Sequence, residues 1–250
     1  MSRKHREVMI MTQKVKAIDT SLCQGCKGCQ VACKHWNQLP GNTNPETFAH
    51  NTYQNPPDMN YFTWNLMTYR EVYSPETNQF RWIFRQDCCR HCPDPFCKIG
   101  CPVNDVKATD PGNEGKTVSV ITKNEEIGAV IYNNRYCDFQ NTDKEGKEHC
   151  CQECLRACPY NVPRFEFDPE TKKEFRRAYK CTLCIDRLTQ LDESHQLNEV
   201  DRIPACVKTC AAKGLQFGDR ETVLSQVRER VNEGSSLAIA LQEFPGVFPE

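Results

Sequence analysis

The sequence predicts an α+β fold made of two small lobes, the second inserted into the first, with short hairpins and short helices around a sparse core. Three observations predict it. The chain has 18 cysteines in 250 residues, and they fall into four groups whose spacings invite a nested pairing. Hydrophobic residues are 38% by a count that includes those cysteines, so under a third of the chain is left for an ordinary interior. That is lean for this length, and something other than side-chain burial must help hold the fold. The remaining apolar residues come in short runs bounded by turn residues, the pattern of hairpins.

Composition excludes several classes. A disulfide scaffold of this cysteine density is typically a short secreted domain. The N-terminal stretch MSRKHREVMIMTQKVKAID is basic but has no apolar signal-peptide core and no twin-arginine pair. No run approaches 18 consecutive apolar residues, so no transmembrane helix is expected. A formal net charge of −1 gives no basic surplus for nucleic acid.

The first group is Cys23-x2-Cys26-x2-Cys29-x3-Cys33. The second is Cys89-x2-Cys92-x4-Cys97-x3-Cys101-Pro102, with Cys88 adjacent. The third is Cys151-x2-Cys154-x3-Cys158-Pro159, with Cys150 adjacent and Cys137 upstream. The fourth is Cys181-x2-Cys184, then Cys206-x3-Cys210. These are variants of the bacterial ferredoxin run that holds [4Fe–4S] clusters. A tight loop with thiolates two residues apart reaches three corners of a cubane, and the fourth ligand comes from elsewhere. Glycine or proline beside the ligands, as at Gly25, Gly28, Pro102 and Pro159, suits a backbone turning closely round an inorganic core. Structural zinc prefers two C-x2-C pairs closing one tetrahedral site, which Cys181 and Cys184 suit and the first group does not.

Four clusters need 16 of the 18 cysteines. In the third group two ligand sets compete. One takes Cys137 as a displaced first ligand, with residues 138–150 as a polar insertion. The other takes Cys150 and Cys151 together. Adjacent residues do not easily reach two corners of one cubane, which favours Cys137 and leaves Cys88 and Cys150 as spare thiols. Each cluster with four thiolates carries roughly −2 when oxidised, so four take the net charge to roughly −9.

In two-cluster ferredoxins the last cysteine of each run ligates the other cluster. Applied to a nested pairing, this gives four sets. They are Cys23, Cys26, Cys29 and Cys210; then Cys33, Cys181, Cys184 and Cys206; then Cys89, Cys92, Cys97 and Cys158; and last Cys101, Cys137, Cys151 and Cys154. The first ferredoxin-like two-cluster lobe spans 1–85 and 171–220, and the inserted one spans 86–170. Residues 221–250 form a docking helix and tail.

The elements between the groups follow from local pattern. Helices are expected after the motif loops, in QVACKHW and QECLRAC. Residues 37–62, rich in Asn and Pro, form a long excursion of the kind that often serves an interaction. NLMTYREVY and NQFRWIF flank the turn residues SPET; TVSVI and AVIY flank a second turn; RFEF and EFRR flank DPETKK. In ETVLSQVRERVNEG, Val223, Leu224, Val227 and Val231 share one helical face, behind a capping Asp219. Trp36, Trp64 and Trp82 are candidates for shielding clusters, with plain core as the simpler reading. His35 and His91 are read as non-ligands. Lys34, Lys98 and Lys180 stand next to motifs and are candidates to offset cluster charge.

The segments CQGCKGCQVACKHWN, CRHCPDPFCKIGCP, ACPYNVPRF and KCTLCIDR…PACVKTC…GLQFGD resemble the iron–sulfur subunit of the molybdopterin oxidoreductase (dimethyl sulfoxide reductase) superfamily. NPPDMNYFTWNLMTYREV and RWIFRQDCCRHC are similar to the β-subunit of formate dehydrogenases, with four [4Fe–4S] clusters. The resemblance spans residues 15–220. Departures are the split third motif, the long polar segment 185–205, and the absence of the C-terminal membrane helix found in some β-subunits. What it implies is a non-catalytic electron-transfer subunit. It would take electrons from a molybdenum or tungsten bis-pterin catalytic subunit and pass them to a cytochrome, a quinone-reactive membrane subunit or a soluble carrier. Rival readings are a relay for a nitrate, polysulfide or dimethyl sulfoxide reductase, or a free polyferredoxin. No nucleotide loop, nucleophile–base set or open metal site is read, so no catalytic residue is assigned. The expected location is the periplasm, by co-export with the catalytic subunit; the cytoplasm is the alternative.

Overall fold

The structure, a computed structural model, describes residues 14–41, 53–108, 111–137, 140–142, 148–167, 174–189, 201–232 and 239–241. Small antiparallel ribbons alternate with cysteine-bearing loops, as the short apolar runs predict. One three-stranded sheet ties the two ends of the described chain together. In it β1 (Lys14–Asp19) lies between β12 (Leu215–Asp219) and β13 (Ile239–Leu241). Lys14 pairs with Asp219 and Ile18 with Leu215. β1 is buried along most of its length, and helix α6 (Arg220–Asn232) covers Val15 and Ala17 with Val223 and Val227. This is the expected docking helix. Leu224 is half-buried beside them, and the Val231 side chain lies outside the described residues.

Helix α1 (Gly28–Trp36) packs on α5 (Ala205–Lys208), so the first cysteine group meets the fourth. Helix α2 (Phe96–Ile99) packs on α3 (Glu153–Arg156), so the second meets the third. The α2–α3 approach is close. A Cβ built on Gly100, the residue that ends α2, would lie 2.8 Å from the Ala157 Cβ.

The longest ribbon is β2 (Asn65–Ser74) with β3 (Gln79–Cys88), in register from Asn65↔Cys88 to Ser74↔Gln79. Its base is buried through Leu66, Met67 and Cys88. Its outer half carries the cross-strand pairs Tyr69–Phe84 and Tyr73–Phe80, with ring centroids 5.3 and 5.0 Å apart. Trp82 is 42% exposed on this ribbon and so belongs to no core. Trp36 and Trp64 donate from their ring nitrogens to Asp186 at 2.9 Å and to the Tyr61 carbonyl at 2.6 Å.

The TVSVI run departs from expectation. It splits into β5 (Thr117–Ser119), paired with β4 (Asp105–Lys107), and β6 (Ile121–Lys123), paired with β7 (Val130–Tyr132). Asn104 causes the break: its carbonyl accepts from the Val120 amide at 2.6 Å and its side-chain oxygen from the Ile121 amide at 3.0 Å. The bend buries Val120 with Ile121, Val130, Cys154, Phe165 and Ala178 in one cluster. The insertion after Cys137 contains a ribbon, β8 (Gln140–Thr142) with β9 (Glu148–Cys150), in which Gln140 stands opposite Cys150. β10 (Arg164–Phe167) pairs with β11 (Glu174–Tyr179) as predicted, while the DPETKK turn lies outside the described residues. Helix α4 (Ile185–Thr189) follows Cys184, and residues 190–200 of the polar segment lie outside the described residues.

The described part of the 37–62 excursion folds back onto the body. Gln30 donates to the Asn55 carbonyl at 2.8 Å, Lys34 to the Phe62 carbonyl at 2.6 Å and Arg164 to the Met59 carbonyl at 2.9 Å. Residues 42–52 of it lie outside the described residues. Among the described residues no helix is long and apolar enough to cross a membrane.

The Gly100–Ala157 contact gives a test of the α2–α3 packing. Gly100→Ala forces the two helices apart and is expected to cost about 1–3 kcal/mol, the usual cost of overpacking. Adding Ala157→Gly should return most of that loss, because the two positions share one contact. Thermal melts read both effects.

Candidate iron–sulfur sites

The loops that carry the cysteines share a backbone device. Gly25, Lys27, His91, Gln152 and Leu183 all have positive φ, between 49° and 65°, and each lies inside a Cys-x2-Cys step. Four of the five are not glycine, and a residue in this region costs of order 1–3 kcal/mol unless its surroundings impose it. A left-handed residue next to a right-handed one turns successive N–H groups to one side, the concavity used at anion and Fe–S sites. Two of these amides already meet sulfur: His91 N lies 3.4 Å from Cys89 Sγ and Leu183 N lies 3.3 Å from Cys181 Sγ. Glycine is required at Gly25, where a Cβ would come within 3.0 Å of the Phe84 ring. The turns after the groups also repeat. Asn161 and Lys213, three residues past Cys158 and Cys210, are left-handed and donate back to those cysteines' carbonyls at 3.2 Å.

Three cavities lie among these loops. The first has Cys23, Cys26, Cys29 and Cys210 in its lining, with Met67, Leu215 and Gln86. The second has Cys33, Cys181, Cys184 and Cys206, together with Cys88 and Lys16. The third has Cys89, Cys92, Cys97 and Cys158, with Tyr132, Val162 and Lys180. The remaining expected set is gathered beside the cluster around Val120. Cys154 lies in that cluster with Cys101 and Cys137 packed against it, and Cys151 stands within electrostatic reach of both Cys101 and Cys154. The Cys150 side chain lies outside the described residues.

The local folding explains these meetings. The x3 spacing from Cys29 to Cys33 is about one helical turn along α1, so the two sulfurs serve different cavities. Cys206 and Cys210 divide the same way across the end of α5. The β8–β9 ribbon closes the insertion at its base, which carries the chain from Cys137 back to Cys151.

The thiols are mutually uncomfortable. Burial first, then neighbouring Cys206, pushes Cys29 up to about 12. Burial pushes Cys184 up to about 12, and burial with Cys89, Cys158 and Cys97 pushes Cys92 up to about 11. Cys33 is held well above its ordinary value by burial and by Cys184 and Cys206. Cys154 is likewise raised, by burial and then by Cys137 and Cys151. Such groups keep their protons near neutrality, and metal binding has to displace them. Cys88 goes the other way, drawn down first by a hydrogen bond with Cys181 and then by the Lys16 and Arg90 charges, against its burial.

Buried cations stand among the sulfurs. Lys180, 5% exposed, donates to the carbonyls of Val130 and of Cys181, the latter at 3.0 Å, and lies 4.9 Å from the Tyr132 ring centroid. Lys16 is another, 2% exposed. Lys34 donates to backbone carbonyls instead, and Lys98 is half-buried. His91 is buried, its Nδ1 accepts from the Val130 amide at 2.9 Å, and burial holds it well below the ordinary imidazole value, hence neutral. Lys16 and Gln86 escape a reading of the cysteine motifs. The available signal was a lysine inside KVKAID, a strand otherwise fit for a core.

The donor chemistry fits iron–sulfur clusters. Each cavity offers four or five sulfurs and mainly apolar walls, and the sulfurs stand around a space. Among the described residues no three His, Cys, Asp or Glu side chains converge on a point that would hold a single ion. Residues 80–220 match the 4Fe-4S dicluster domain model, more than half of the chain. The chain belongs to this family. Relatives of this 4Fe-4S protein agree. It is 34% identical over 236 residues to the formate dehydrogenase iron-sulfur subunit of Haemophilus influenzae, covering 93% of this chain and 61% of that one. It is 34% identical to the nitrate-inducible formate dehydrogenase iron-sulfur subunit of Escherichia coli, covering 86% and 58%. It is 31% identical to formate dehydrogenase 2 subunit beta (cytochrome c-553) of Nitratidesulfovibrio vulgaris, covering 89% and 84%. The chain thus spans about three fifths of the first two relatives and most of the third.

Because the interior of this dicluster-family protein is built around sulfur, stripping the iron should loosen it. Oxidation with a chelator is expected to abolish the cooperative thermal transition and to raise binding of a hydrophobic dye, read by circular dichroism and fluorescence.

Proposed function

We propose that the chain is the electron-transfer subunit of a heteromeric oxidoreductase of the formate dehydrogenase type, carrying four [4Fe–4S] clusters. The ligand sets are Cys23, Cys26, Cys29 and Cys210; Cys33, Cys181, Cys184 and Cys206; Cys89, Cys92, Cys97 and Cys158; and Cys101, Cys137, Cys151 and Cys154. When bound, such a cluster supplies a one-electron couple whose potential depends on net charge, hydrogen bonds to sulfur and exposure to solvent. The chain's residues hold it, exclude water from it and set those three quantities.

The observation that carries this reading is continuity. Consecutive cysteine sets are joined by residues close in sequence. Cys29 lines the first cavity and Cys33 the second. Cys88 lines the second and its neighbour Cys89 the third. Cys97 lines the third, and Cys101, one short turn on, packs with Cys137 and Cys154 of the last set. An unbroken file of sites suits relay and has no use in a zinc scaffold. The contacts of α1 with α5 and of α2 with α3 support two ferredoxin-like lobes, 1–85 with 171–220 and the inserted 86–170, followed by the docking helix and tail of 221–250.

In this reading the electron donor is a molybdopterin catalytic subunit holding molybdenum or tungsten. The acceptor is a cytochrome, a quinone-reactive membrane subunit or a soluble carrier. The compartment that goes with it is the periplasm, entered folded with the catalytic subunit.

Iron analysis and co-purification test the proposal. About 16 iron atoms per chain are expected, four per cluster. Cys137→Ala should lower this to about 12, whereas Cys150→Ala should leave it unchanged. The reverse result overturns the choice of Cys137. The native complex should contain a molybdopterin subunit, and adding formate without oxygen should bleach the iron–sulfur absorbance. A chain that purifies alone, fully loaded and unresponsive to formate, contradicts the subunit reading.

A further inference from the structure

Lys16 lies in β1 with its side chain only 2% exposed. Its Nζ donates to Gln86 Oε1 at 2.8 Å and to Cys88 Sγ at 3.1 Å. Gln86 and Cys88 are each 1% exposed. Among the described residues no carboxylate pairs with this ammonium.

The ammonium also decides which way the Gln86 amide points. Lysine only donates, so the oxygen of Gln86 must face it, and the two-fold ambiguity of an amide disappears. The amide nitrogen is thereby turned elsewhere. Gln86 Nε2 is buried and has no hydrogen-bond partner among the described residues, and the Gln86 side chain lines the first cavity. An orphaned buried N–H donor calls for an acceptor. The cavity that Gln86 lines is the one with Cys23, Cys26, Cys29 and Cys210 in its wall. On its other side, Lys16 lines the second cavity.

We propose that Lys16 and Gln86 form a potential-setting unit for the cluster held by Cys23, Cys26, Cys29 and Cys210. The ammonium orients the amide, the amide donates an N–H to a sulfur of that cluster, and the fixed positive charge favours its reduced form. The inference rests on the reading that this cavity holds a cluster. Lys16 and Gln86 are positioning and tuning groups, since neither is an iron ligand. Both effects act in one direction: a hydrogen bond to sulfur and a nearby cation each stabilise the more negative state.

Redox titration of the full cluster-loaded chain, followed by electron paramagnetic resonance, tests this. Gln86→Leu should make one cluster at least tenfold harder to reduce, about 59 mV for a one-electron couple, and Lys16→Met should do the same to that cluster and also lower the potential of the neighbouring one, whose cavity Lys16 lines. Iron content should stay at the level of the unchanged chain. Lys16→Arg, which keeps the charge and the donors, should retain most of the original potential. If every cluster keeps its potential in iron-replete Gln86→Leu and Lys16→Met, the proposal is wrong. Where either variant loses iron, Gln86→Glu decides. It keeps the shape and the acceptor for Lys16 while replacing the N–H with a carboxylate oxygen and its negative charge, so one potential must fall on both counts, and unchanged potentials overturn the idea. Failure of the underlying cluster reading looks different: the unchanged chain would then hold no iron and give no signal.

Discussion

Everything in this fold answers to one constraint: thiols gathered in a small interior must be given something to do with their charge. As neutral groups they bury little apolar surface. As thiolates they repel one another and lose hydration. The upward displacement of Cys29, Cys33, Cys92, Cys154 and Cys184 records that tension in the protein alone. Iron resolves it by taking four thiolates at once, which makes the inorganic centres part of the core. The sparse apolar composition then ceases to be a deficit. Val120, Ile121 and Phe165, with Cys101 and Cys137 packed nearby, make a hydrophobic interior that is part side chain and part sulfur site.

The backbone and the buried cations complete that arrangement from opposite directions. Left-handed residues inside the Cys-x2-Cys steps turn amides toward sulfur, and Lys16 and Lys180 bring positive charge into places where lysine is rarely found. Neither lysine is neutralised by a described carboxylate. His91, despite lying between two cysteines of its group, contributes shape and an acceptor for the Val130 amide without charge. Arginine and lysine on the surface do something different: the Lys14–Asp219 pair at 2.7 Å fastens an exposed strand edge and carries little energy.

Much of this was legible from spacing. Cysteine intervals are constrained by the size of what they surround, and three cavities each have the four cysteines of one expected set in their lining. The hairpin from Asn65 to Cys88 and the terminal helix follow from turn residues and helical periodicity in the same direct way. What was not legible depends on tertiary context. The bend at Val120 arises because Asn104, far from it in any periodic pattern, accepts from two successive amides. Lys16 looks like an ordinary strand lysine until β3 places Gln86 and Cys88 over its head. Cys88 looks like a spare beside Cys89, yet it lines the second cavity while Cys89 lines the third. Trp82, apt for an interior by type, stands on the open half of a ribbon where the periodicity of two has no second layer to meet.

The β8–β9 ribbon has a consequence for what the split motif can tolerate. In an antiparallel pair the distance between the two ends is set by the spacing of the strands at the base and is indifferent to how far the tip extends. Each further cross-strand pair would move the tip outward by roughly 3.4 Å and leave Gln140 opposite Cys150. The interruption between Cys137 and Cys151 is bridged where Gln140 faces Cys150, and both cysteines stand close enough to Cys154 to act on it electrostatically. In the proposed ligand set the spacing is governed by the neck of the excursion, and the length beyond the neck is available for surface contacts.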